Sequence, residues 1–210
     1  MKEKNGLQPG KLLYLNEKNA PLNPFLLFED WYNASFDHYN EEANIMALST
    51  MGVNNFPSSR IVLLKGFSDK GFVFFTNYHS RKGLEIAENP LVSLLFYWPL
   101  YERQIRIEGS AEKINPELSD KYFASRPRDS KIGALISPQS QVVPDRKFLE
   151  NKFTEAEYTF PDEIPRPFHW GGYIVKPSGM EFWQGRPGRL HDRLLYTLRE
   201  SEWIISRLAP

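Results

Sequence analysis

Arginine and histidine side chains are concentrated near the end of the chain, in the stretch "WQGRPGRLHDRLLY". Arg186, Arg189, His191 and Arg193 fall within eight residues of a chain in which 26 Lys and Arg balance 26 Asp and Glu. Removing the hydration shell of a cation is costly, so such a cluster is either a solvated turn or a binding site for an anion. For an isolated stretch the solvated turn is the simpler interpretation, and the rest of the chain must decide between them.

A second pair of cations, Arg81 and Lys82, follows Ser80 in "HSRKGLEIAENP". Ser80 is a typical N-cap and Pro90 ends the segment, which predicts a short helix with both cations in its first turn. The helix dipole disfavours cations there, whereas a bound phosphate would form charge-assisted hydrogen bonds with them and with free backbone N–H groups. The pair is therefore either exposed or part of an anion site.

A third group lies in "KYFASRPRDSKIG". Tyr122 and Arg126 are four residues apart and share a helix face if the helix extends that far. Ser130 can reach the same point, which would place two hydroxyls and a guanidinium around one oxyanion. Alternatively, Arg126 and Arg128 pair on the surface with Asp120 and Asp129.

Two further polar positions occur in predicted strands. Arg60 and Lys65 bracket four apolar residues in "RIVLLK". Strand alternation sends positions five apart to opposite faces, so one of the two can line a cleft while the other points elsewhere; both ends reaching solvent is the alternative. Gln104, in "YERQIRIEG", suits the edge of a heterocycle.

Composition excludes several classes of protein. The chain has no cysteine, which rules out disulfides, thiolate metal sites and thiol catalysis. Its four histidines are far apart and form no metal-binding pair, and no glycine-rich phosphate loop or nucleophile-elbow motif occurs. The balanced charge, and the lack of any apolar run of membrane-spanning or signal-peptide length, predict a cytoplasmic protein that binds neither nucleic acid nor membrane.

The elements that must position these residues are mainly strands. Residues 1–22 are polar and rich in turn residues, which predicts a flexible arm, and residues 23–210 are predicted to form one domain. Asn23-Pro24 is typical of a helix start. From residue 45, short runs rich in β-branched and aromatic residues alternate with Gly, Pro and Asn, which predicts a six-to-eight-stranded antiparallel barrel with peripheral helices. Three of those helices are expected in "NPELSDKYFASRP", "RDSKIGALI" and "DRKFLENKFTEAEYTF".

Taken in order, six segments resemble the pyridoxamine 5′-phosphate oxidase family. They are "RIVLLK", "FFTNYHSRKG", "ERQIRIEG", "YFASRPRDSKIGALISPQS", "EFWQGRPGRLHDR" and the terminal "RLAP". The resemblance runs from about Asn23 to Pro210, and implies a mainly β, FMN-binding split β-barrel that forms a homodimer with two FMN molecules at the subunit interface. It implies oxidation of pyridoxamine and pyridoxine 5′-phosphates to pyridoxal 5′-phosphate, with hydride transfer from C4′ to flavin N5 and reoxidation by O2 to H2O2. The family's R-x-x-Y in the arm has no counterpart in "LQPGKLLYL".

The resemblance also implies roles for individual residues. The FMN contacts it implies are Arg60, Ile61, Val62, Leu63, Leu64, Lys65, Phe75, Thr76, Arg81, Lys82, Gln104, Gln139, Ser140, Trp183 and Arg193. The substrate contacts it implies are Lys65, Tyr122, Arg126 and Ser130 at the phosphate, and Arg189, Leu190 and His191 at the ring.

Two of the ring-side residues are the expected catalytic pair. Arg189 is expected to pack over the pyridine ring, and His191 to orient the 4′ substituent or assist proton removal. Arg186 keeps the interpretation of a solvated turn residue. Two other functions stay open: a related split-barrel flavoprotein acting on another substrate, and a carrier that binds FMN or pyridoxal phosphate without turnover.

Overall fold

The structure is a computed structural model that describes residues 15–52 and 54–210. Nine strands occur in the described residues: β1 (Ile45–Met51), β2 (Pro57–Leu63), β3 (Gly66–Ser68), β4 (Gly71–Asn77), β5 (Leu91–Trp98), β6 (Arg103–Lys113), β7 (Trp170–Gln184), β8 (Asp192–Arg199) and β9 (Glu202–Arg207). They form one sheet in the order β2-β1-β5-β6-β7-β4-β3, with β8 paired to β7 and β9 to β8. The predicted six to eight strands was an undercount, because "SSRIVLLKGF" breaks at Leu64-Lys65 into β2 and the short β3.

Five α-helices lie in the described part of the chain: α1 (Pro24–Tyr39), α2 (Arg81–Glu88), α3 (Pro116–Ala124), α4 (Arg128–Ile136) and α5 (Arg146–Thr159). The starts of α1 and α2 follow the predicted caps. The Asn23 side chain accepts a hydrogen bond from the Phe25 N–H, and the Ser80 hydroxyl accepts one from the Gly83 N–H. These bonds satisfy backbone donors that the first turn of a helix leaves unpaired. The predicted helix starts at Asn23-Pro24 and Ser80 are confirmed.

Contacts between Cα atoms divide the chain into two compact units. The first contains residues 15–45, 95–108 and 177–210 of the described chain. Its core is aromatic: Trp31 of α1 meets Phe182 edge-on at 5.4 Å between centroids, Phe28 meets Phe96 at 5.2 Å, and Tyr196 is fully buried beside Phe182. Edge-to-face pairs of this kind add to the stabilisation from buried area.

The second unit contains residues 46–94 and 109–176, apart from residue 53. Strand β4 pairs with the first half of β7 in an antiparallel register that sets Phe75 opposite Gly172. A buried cluster of Phe123, Ile132, Ala156, Ile164 and Trp170 joins α3, α4 and α5 to the start of β7. This cluster supports the segments that carry the predicted phosphate-binding residues.

The predicted arm, residues 1–22, is described only from Leu15 onwards, and Tyr14 with the rest of 1–14 lies outside the described residues. Residues 15–22 are bonded to the last two strands of the first unit. Arg207 donates to the Leu15 carbonyl at 2.8 Å and to Glu17, and the Tyr196 hydroxyl donates to the Pro21 carbonyl at 3.0 Å. Across residues 15–52 and 54–210, no helix is long and apolar enough to cross a membrane.

Candidate functional site

A cleft of about 300 Å³ in the second unit gathers most of the predicted phosphate-site residues. Its walls come from the end of β2, from β4, from the first turn of α2, from the end of α3 and the segment after it, from the segment after α4 and from the start of β7. Its lining consists of Ile61, Val62, Leu63, Lys65, Phe75, Thr76, Lys82, Tyr122, Arg126, Gln139 and Trp170. Trp170 is the residue in this set that sequence reasoning missed. Leu64 is instead buried in the core, with 4% of its surface exposed.

Arg126 occupies this cleft in an unusual state. Its guanidinium carbon lies 4.7 Å from the centroid of the Trp170 ring and 5.6 Å from that of Phe123. Its Nη1 is shielded from solvent and has no hydrogen-bond partner. Burial lowers the pKa of Arg126, against a smaller opposing effect of Tyr122. A shielded guanidinium nitrogen without an acceptor is the arrangement expected of a group that awaits an anion.

The alternative, surface pairing of Arg126 and Arg128 with nearby aspartates, is wrong. Asp120 accepts from Arg166 at 2.5 Å, and Arg128 donates to the carbonyls of Phe160 and Asp162. The condition for a shared helix face also fails, because α3 ends at Ala124. Tyr122 and Arg126 meet in the cleft nonetheless, because the Arg126 N–H bonds to the Phe123 carbonyl and the chain turns back at the helix end.

An aromatic stack forms one wall of the cleft. The rings of Phe75, Tyr122 and Trp170 are nearly parallel: the Phe75 centroid lies 4.0 Å from that of Tyr122 and 5.4 Å from that of Trp170, and the Tyr122 and Trp170 centroids are 6.2 Å apart. The guanidinium of Arg126 also lies over the Trp170 ring, so Trp170 packs against both Tyr122 and Arg126. Ser130 lines a neighbouring cleft of about 290 Å³, which shares Arg126, Gln139 and Trp170 with the first.

The first turn of α2 forms another wall. Lys82 donates to the Gln139 side chain at 3.0 Å and to the Ser80 hydroxyl at 3.3 Å, and the Thr76 hydroxyl donates to Gln139 at 3.4 Å. Burial lowers the pKa of Lys82, and the positive charge of Arg60 lowers it further. A bound anion would favour the charged lysine, so this corner also suits a phosphate.

Arg60 and Lys65 diverge as expected, although Lys65 lies beyond the end of β2, so strand alternation is not the cause. Lys65 lines the cleft, whereas Arg60 turns to the buried Glu85 of α2, with Nη2 and Oε2 3.0 Å apart. Arg81 donates from Nε to the other Glu85 oxygen at 2.8 Å. Ser140, the predicted FMN contact that follows Gln139 in the chain, is exposed and has a positive φ of 72°.

The predicted ring-side residues of the substrate site and three of the predicted FMN contacts, Gln104, Trp183 and Arg193, lie in the first unit. Gln104, on β6, is half-buried. The Trp183 and His191 rings are 4.6 Å apart, and the His191 Nδ1 accepts a hydrogen bond from the Arg186 N–H at 3.1 Å. Arg193 is fixed by Glu181 at 2.8 Å and by the Ala209 carbonyl at 2.8 Å.

The turn itself departs from its sequence interpretation in one place. Arg186 is not solvated: its side chain is 10% exposed and bonds to Asp192 at 2.7 Å, because Gln184 and Asp192 face each other across β7 and β8. Arg189 and Leu190 are exposed, and Arg189 has a φ of 62°, a conformation that non-glycine residues rarely adopt. Such backbone strain is common at functional sites.

Comparisons with known proteins place the chain among related sequences and structures. A family model described as pyridoxamine 5′-phosphate oxidase matches residues 35–160, and one described as the pyridoxine 5′-phosphate oxidase C-terminal dimerisation region matches residues 170–210. Relatives called pyridoxine/pyridoxamine 5′-phosphate oxidase, from Paraburkholderia xenovorans and Burkholderia mallei, are 54% identical over 190 and 191 residues. Each alignment covers 90% of this chain and 89% of the relative.

Two solved structures are also similar. The crystal structure of PhzG from Burkholderia lata in complex with tetrahydrophenazine-1-carboxylic acid has a TM-score of 0.89 and 30% identity, and covers 95% of this chain and 98% of that one. A pyridoxamine 5′-phosphate oxidase-related, FMN-binding protein from Nostoc punctiforme has a TM-score of 0.70 and 18% identity, covering 91% and 98%. The predicted split-barrel fold class is confirmed.

Proposed function

The chain belongs to the pyridoxamine 5′-phosphate oxidase family of oxidoreductases, and from this premise we propose that it oxidises pyridoxamine and pyridoxine 5′-phosphates to pyridoxal 5′-phosphate with FMN. The observation that carries the choice of substrate is the Arg126 guanidinium, whose Nη1 is buried without an acceptor beside Tyr122 and Lys65. A substrate phosphate supplies the missing acceptor. The arginine can bind it through charge-assisted hydrogen bonds, which are about twice as strong as neutral ones.

The residues around α2 fit the phosphate of FMN. Arg81 and Lys82 stand in the first turn of a helix, where backbone N–H groups and the dipole already favour an anion. Within the described chain, the hydrogen-bond acceptors of Lys82 are the neutral side chains of Ser80 and Gln139. A bound phosphate would therefore give Lys82 an anionic partner at bonding distance. We propose that these cations and Thr76 hold the FMN phosphate.

We propose that Gln104, Trp183 and Arg193 make the remaining contacts with the flavin.

We propose a homodimer as the assembly, which is supported by the match of residues 170–210 to a dimerisation-region model. The chemistry that FMN would supply when bound is a hydride acceptor, which no protein side chain offers, with dioxygen as the final electron acceptor and hydrogen peroxide as its product.

The chain's own contribution is placement. Lys65, Tyr122 and Arg126 fix the substrate phosphate, with Ser130 on the adjoining side, and so restrict where C4′ can lie. Orientation of this kind lowers a barrier by about 7 kcal/mol or more in well-aligned intramolecular reactions.

His191 is best suited to donate a hydrogen bond. Because its Nδ1 accepts from the Arg186 N–H, the neutral ring carries its proton on Nε2. Of the two roles expected from the sequence, orienting the 4′ substituent therefore has more support than removing its proton. Arg189 is exposed next to it and is proposed to cover the pyridine ring.

A related oxidase acting on a reduced phenazine acid is the second candidate. The high structural similarity to PhzG, which was crystallised with tetrahydrophenazine-1-carboxylic acid, favours it. That ligand carries a carboxylate instead of a phosphate. The cleft of Lys65, Tyr122 and Arg126 supports the phosphorylated substrate, because it offers two cations and a hydroxyl to one anion.

One assay separates these functions from a non-catalytic carrier. The purified protein is expected to be yellow, with flavin absorbance, and to convert pyridoxamine 5′-phosphate under air to an aldehyde with release of hydrogen peroxide. Turnover of tetrahydrophenazine-1-carboxylic acid but not of either vitamer phosphate would favour the second candidate. Bound flavin without turnover of any of the three would leave the carrier.

A further inference from the structure

The turn between β7 and β8 carries the two residues expected at the substrate ring. Its ends are fixed where Gln184 and Asp192 face each other across the two strands. The buried Gln184 side chain also donates to the carbonyls of Tyr101 and Glu102 at 2.9 and 3.3 Å, and the Gly185 N–H donates to the Glu102 carbonyl at 2.7 Å. These bonds fix the base of the turn, but they do not determine where the side chains beyond it point.

Arg186 joins the two sides of this turn through both its backbone and its side chain. Its N–H donates to Nδ1 of His191 at 3.1 Å, and its Nε donates to Oδ2 of Asp192 at 2.7 Å. One residue on the β7 side therefore holds two consecutive residues on the β8 side. Pro187 helps to set this geometry, because the residue before a proline favours extended backbone, and Arg186 has a φ of −140° and a ψ of 152°.

The ion pair that fixes Arg186 is shielded from water. The side chains of Arg186 and Asp192 are 10% and 14% exposed, so solvent screens their attraction less than that of a surface pair. The other oxygen of Asp192 accepts from Arg207 at 3.0 Å. Burial acts to raise the pKa of Asp192, but the bonds from the two arginines outweigh it and hold the pKa below its ordinary value. Asp192 is therefore an anion with both oxygens engaged, which makes it a firm anchor for Arg186.

The ring of His191 is held on two sides. Its centroid lies 4.6 Å from that of Trp183, and its Nδ1 accepts from the Arg186 N–H. An imidazole nitrogen accepts a hydrogen bond only when it carries no proton, so this contact leaves the proton of the neutral ring on Nε2. The direction of that Nε2–H depends on the Arg186 backbone, and the Arg186 backbone is held by the ion pair with Asp192.

We propose that Arg186 and Asp192 are positioning residues for His191: their ion pair holds the Arg186 N–H against Nδ1, and so directs the Nε2–H of His191 at the 4′ substituent of the substrate. This rests on the proposed function, in which His191 orients that substituent. It gives Arg186 a role in the reaction that it performs through His191, without contact with the substrate.

The ring of His191 can be observed without turnover. Spectra of ¹⁵N-labelled protein correlate imidazole nitrogens with ring protons, and His191→Gln identifies the His191 signals among those of the four histidines. At about pH 8, where histidine is ordinarily neutral, the wild type is expected to show an Nε2–H tautomer with a hydrogen-bonded Nδ1. Arg186→Met and Asp192→Ala are expected to move the Nδ1 resonance towards that of an unbonded acceptor. An unchanged Nδ1 resonance in both variants would overturn the proposal.

Flavin reduction tests whether the pair acts on the reaction through His191. The rate at which saturating pyridoxine 5′-phosphate bleaches the flavin without oxygen is measured in the wild type, Arg186→Met, His191→Gln and the double variant. Arg186→Met is expected to lower this rate about tenfold, because small misplacements of a catalytic group cost up to about 100-fold. In the His191→Gln background the same change is expected to cost nothing further, because the group that Arg186 positions is gone. A further loss as large as that in the wild-type background would show that Arg186 acts independently of His191.

Two other variants separate positioning from a general loss of stability. Arg186→Lys supplies a point charge that Asp192 can bind, and is expected to keep the rate within about threefold of wild type. Arg128→Met also loses guanidinium hydrogen bonds, but in the second unit, and is expected to be less stable and to reduce flavin at the wild-type rate. A loss of rate in Arg128→Met equal to that in Arg186→Met would assign the effect to stability and overturn the proposal.

Failure of the proposed function would look different. A wild type that binds flavin, but in which neither pyridoxine nor pyridoxamine 5′-phosphate reduces it, would refute that function. The Nδ1 resonance would still show whether the ion pair of Arg186 and Asp192 holds the ring of His191.

Discussion

Replacing Arg126 by methionine is expected to stabilise the ligand-free protein while it weakens substrate binding. The shielded Nη1 without a partner costs about 1–3 kcal/mol. Against this, the variant loses a cation–π contact with Trp170 worth about 0.5–2 kcal/mol, part of which the methionine sulfur recovers on the same ring. The net gain is about 1 kcal/mol, or a rise in Tm of about 2–4 °C for a chain of this size.

The same change removes the main cationic donor for the substrate phosphate. Hydrogen bonds to a charged group contribute about 1.5–3 kcal/mol, so KM for pyridoxamine 5′-phosphate is expected to rise about 10- to 150-fold. Pyridoxamine without its phosphate cannot use Arg126, and its kcat/KM is expected to be the same in both proteins. The FMN dissociation constant should also change little.

Arg128→Met is the matched control, because the Arg128 guanidinium donates to the carbonyls of Phe160 and Asp162. It is expected to lower Tm and to leave KM unchanged. Thermal unfolding without substrate and steady-state kinetics with both amines test the pair. A fall in Tm for Arg126→Met as large as that for Arg128→Met would show that the buried guanidinium is satisfied in the free protein, and the reasoning from its missing acceptor would fail.

Three further predictions concern stability. A Cβ on Gly83 would lie 2.3 Å from the Tyr78 carbonyl oxygen, so Gly83→Ala should cost about 3 kcal/mol and lower Tm by about 6–12 °C in a thermal melt. Arg186→Met should cost about 2 kcal/mol by urea unfolding, less than the about 3–5 kcal/mol of a fully broken buried pair, because Arg207 still bonds to Asp192. Burial acts to raise the pKa of Asp192, but bonds from the same two arginines hold it below its ordinary value. The contribution of ionised Asp192 to the free energy of unfolding is therefore complete above about pH 4, and is lost as the pH falls through the lower pKa of the folded state. Asp192→Asn should accordingly lose less stability on acidification than the wild type, as measured by urea unfolding at each pH.

Features set by near neighbours in sequence could be predicted. The starts of α1 and α2 follow from Asn23-Pro24 and Ser80, because a capping bond joins residues two or three apart. The strand positions follow from apolar runs between turn residues. The strand count failed at Leu64-Lys65, where the run continues in composition but β2 ends at Leu63.

Partners brought together by the sheet could not be predicted. Arg186 lies between a glycine and a proline, which is typical of a solvated turn, yet the register of β7 and β8 returns Asp192 to it. Glu85 could have been matched with Arg81 from their spacing, but nothing in the sequence joins it to Arg60, 25 residues away. Trp170 was missed because a lone tryptophan at a strand start carries no signal of its neighbours.

The partners of the cations show which charges are already balanced within the fold. Arg186 bonds to a largely buried carboxylate, and Arg60, Arg81 and Arg193 bond to buried ones, so part of their charge is balanced by the protein itself. Lys82 bonds to a hydroxyl and an amide, and Arg126 lies on aromatic rings with a nitrogen lacking an acceptor. A chain with balanced charge has enough carboxylates to pair every cation. Leaving these two cations with neutral partners in a cleft sacrifices stability, and an anionic ligand is the physical reason that accounts for it.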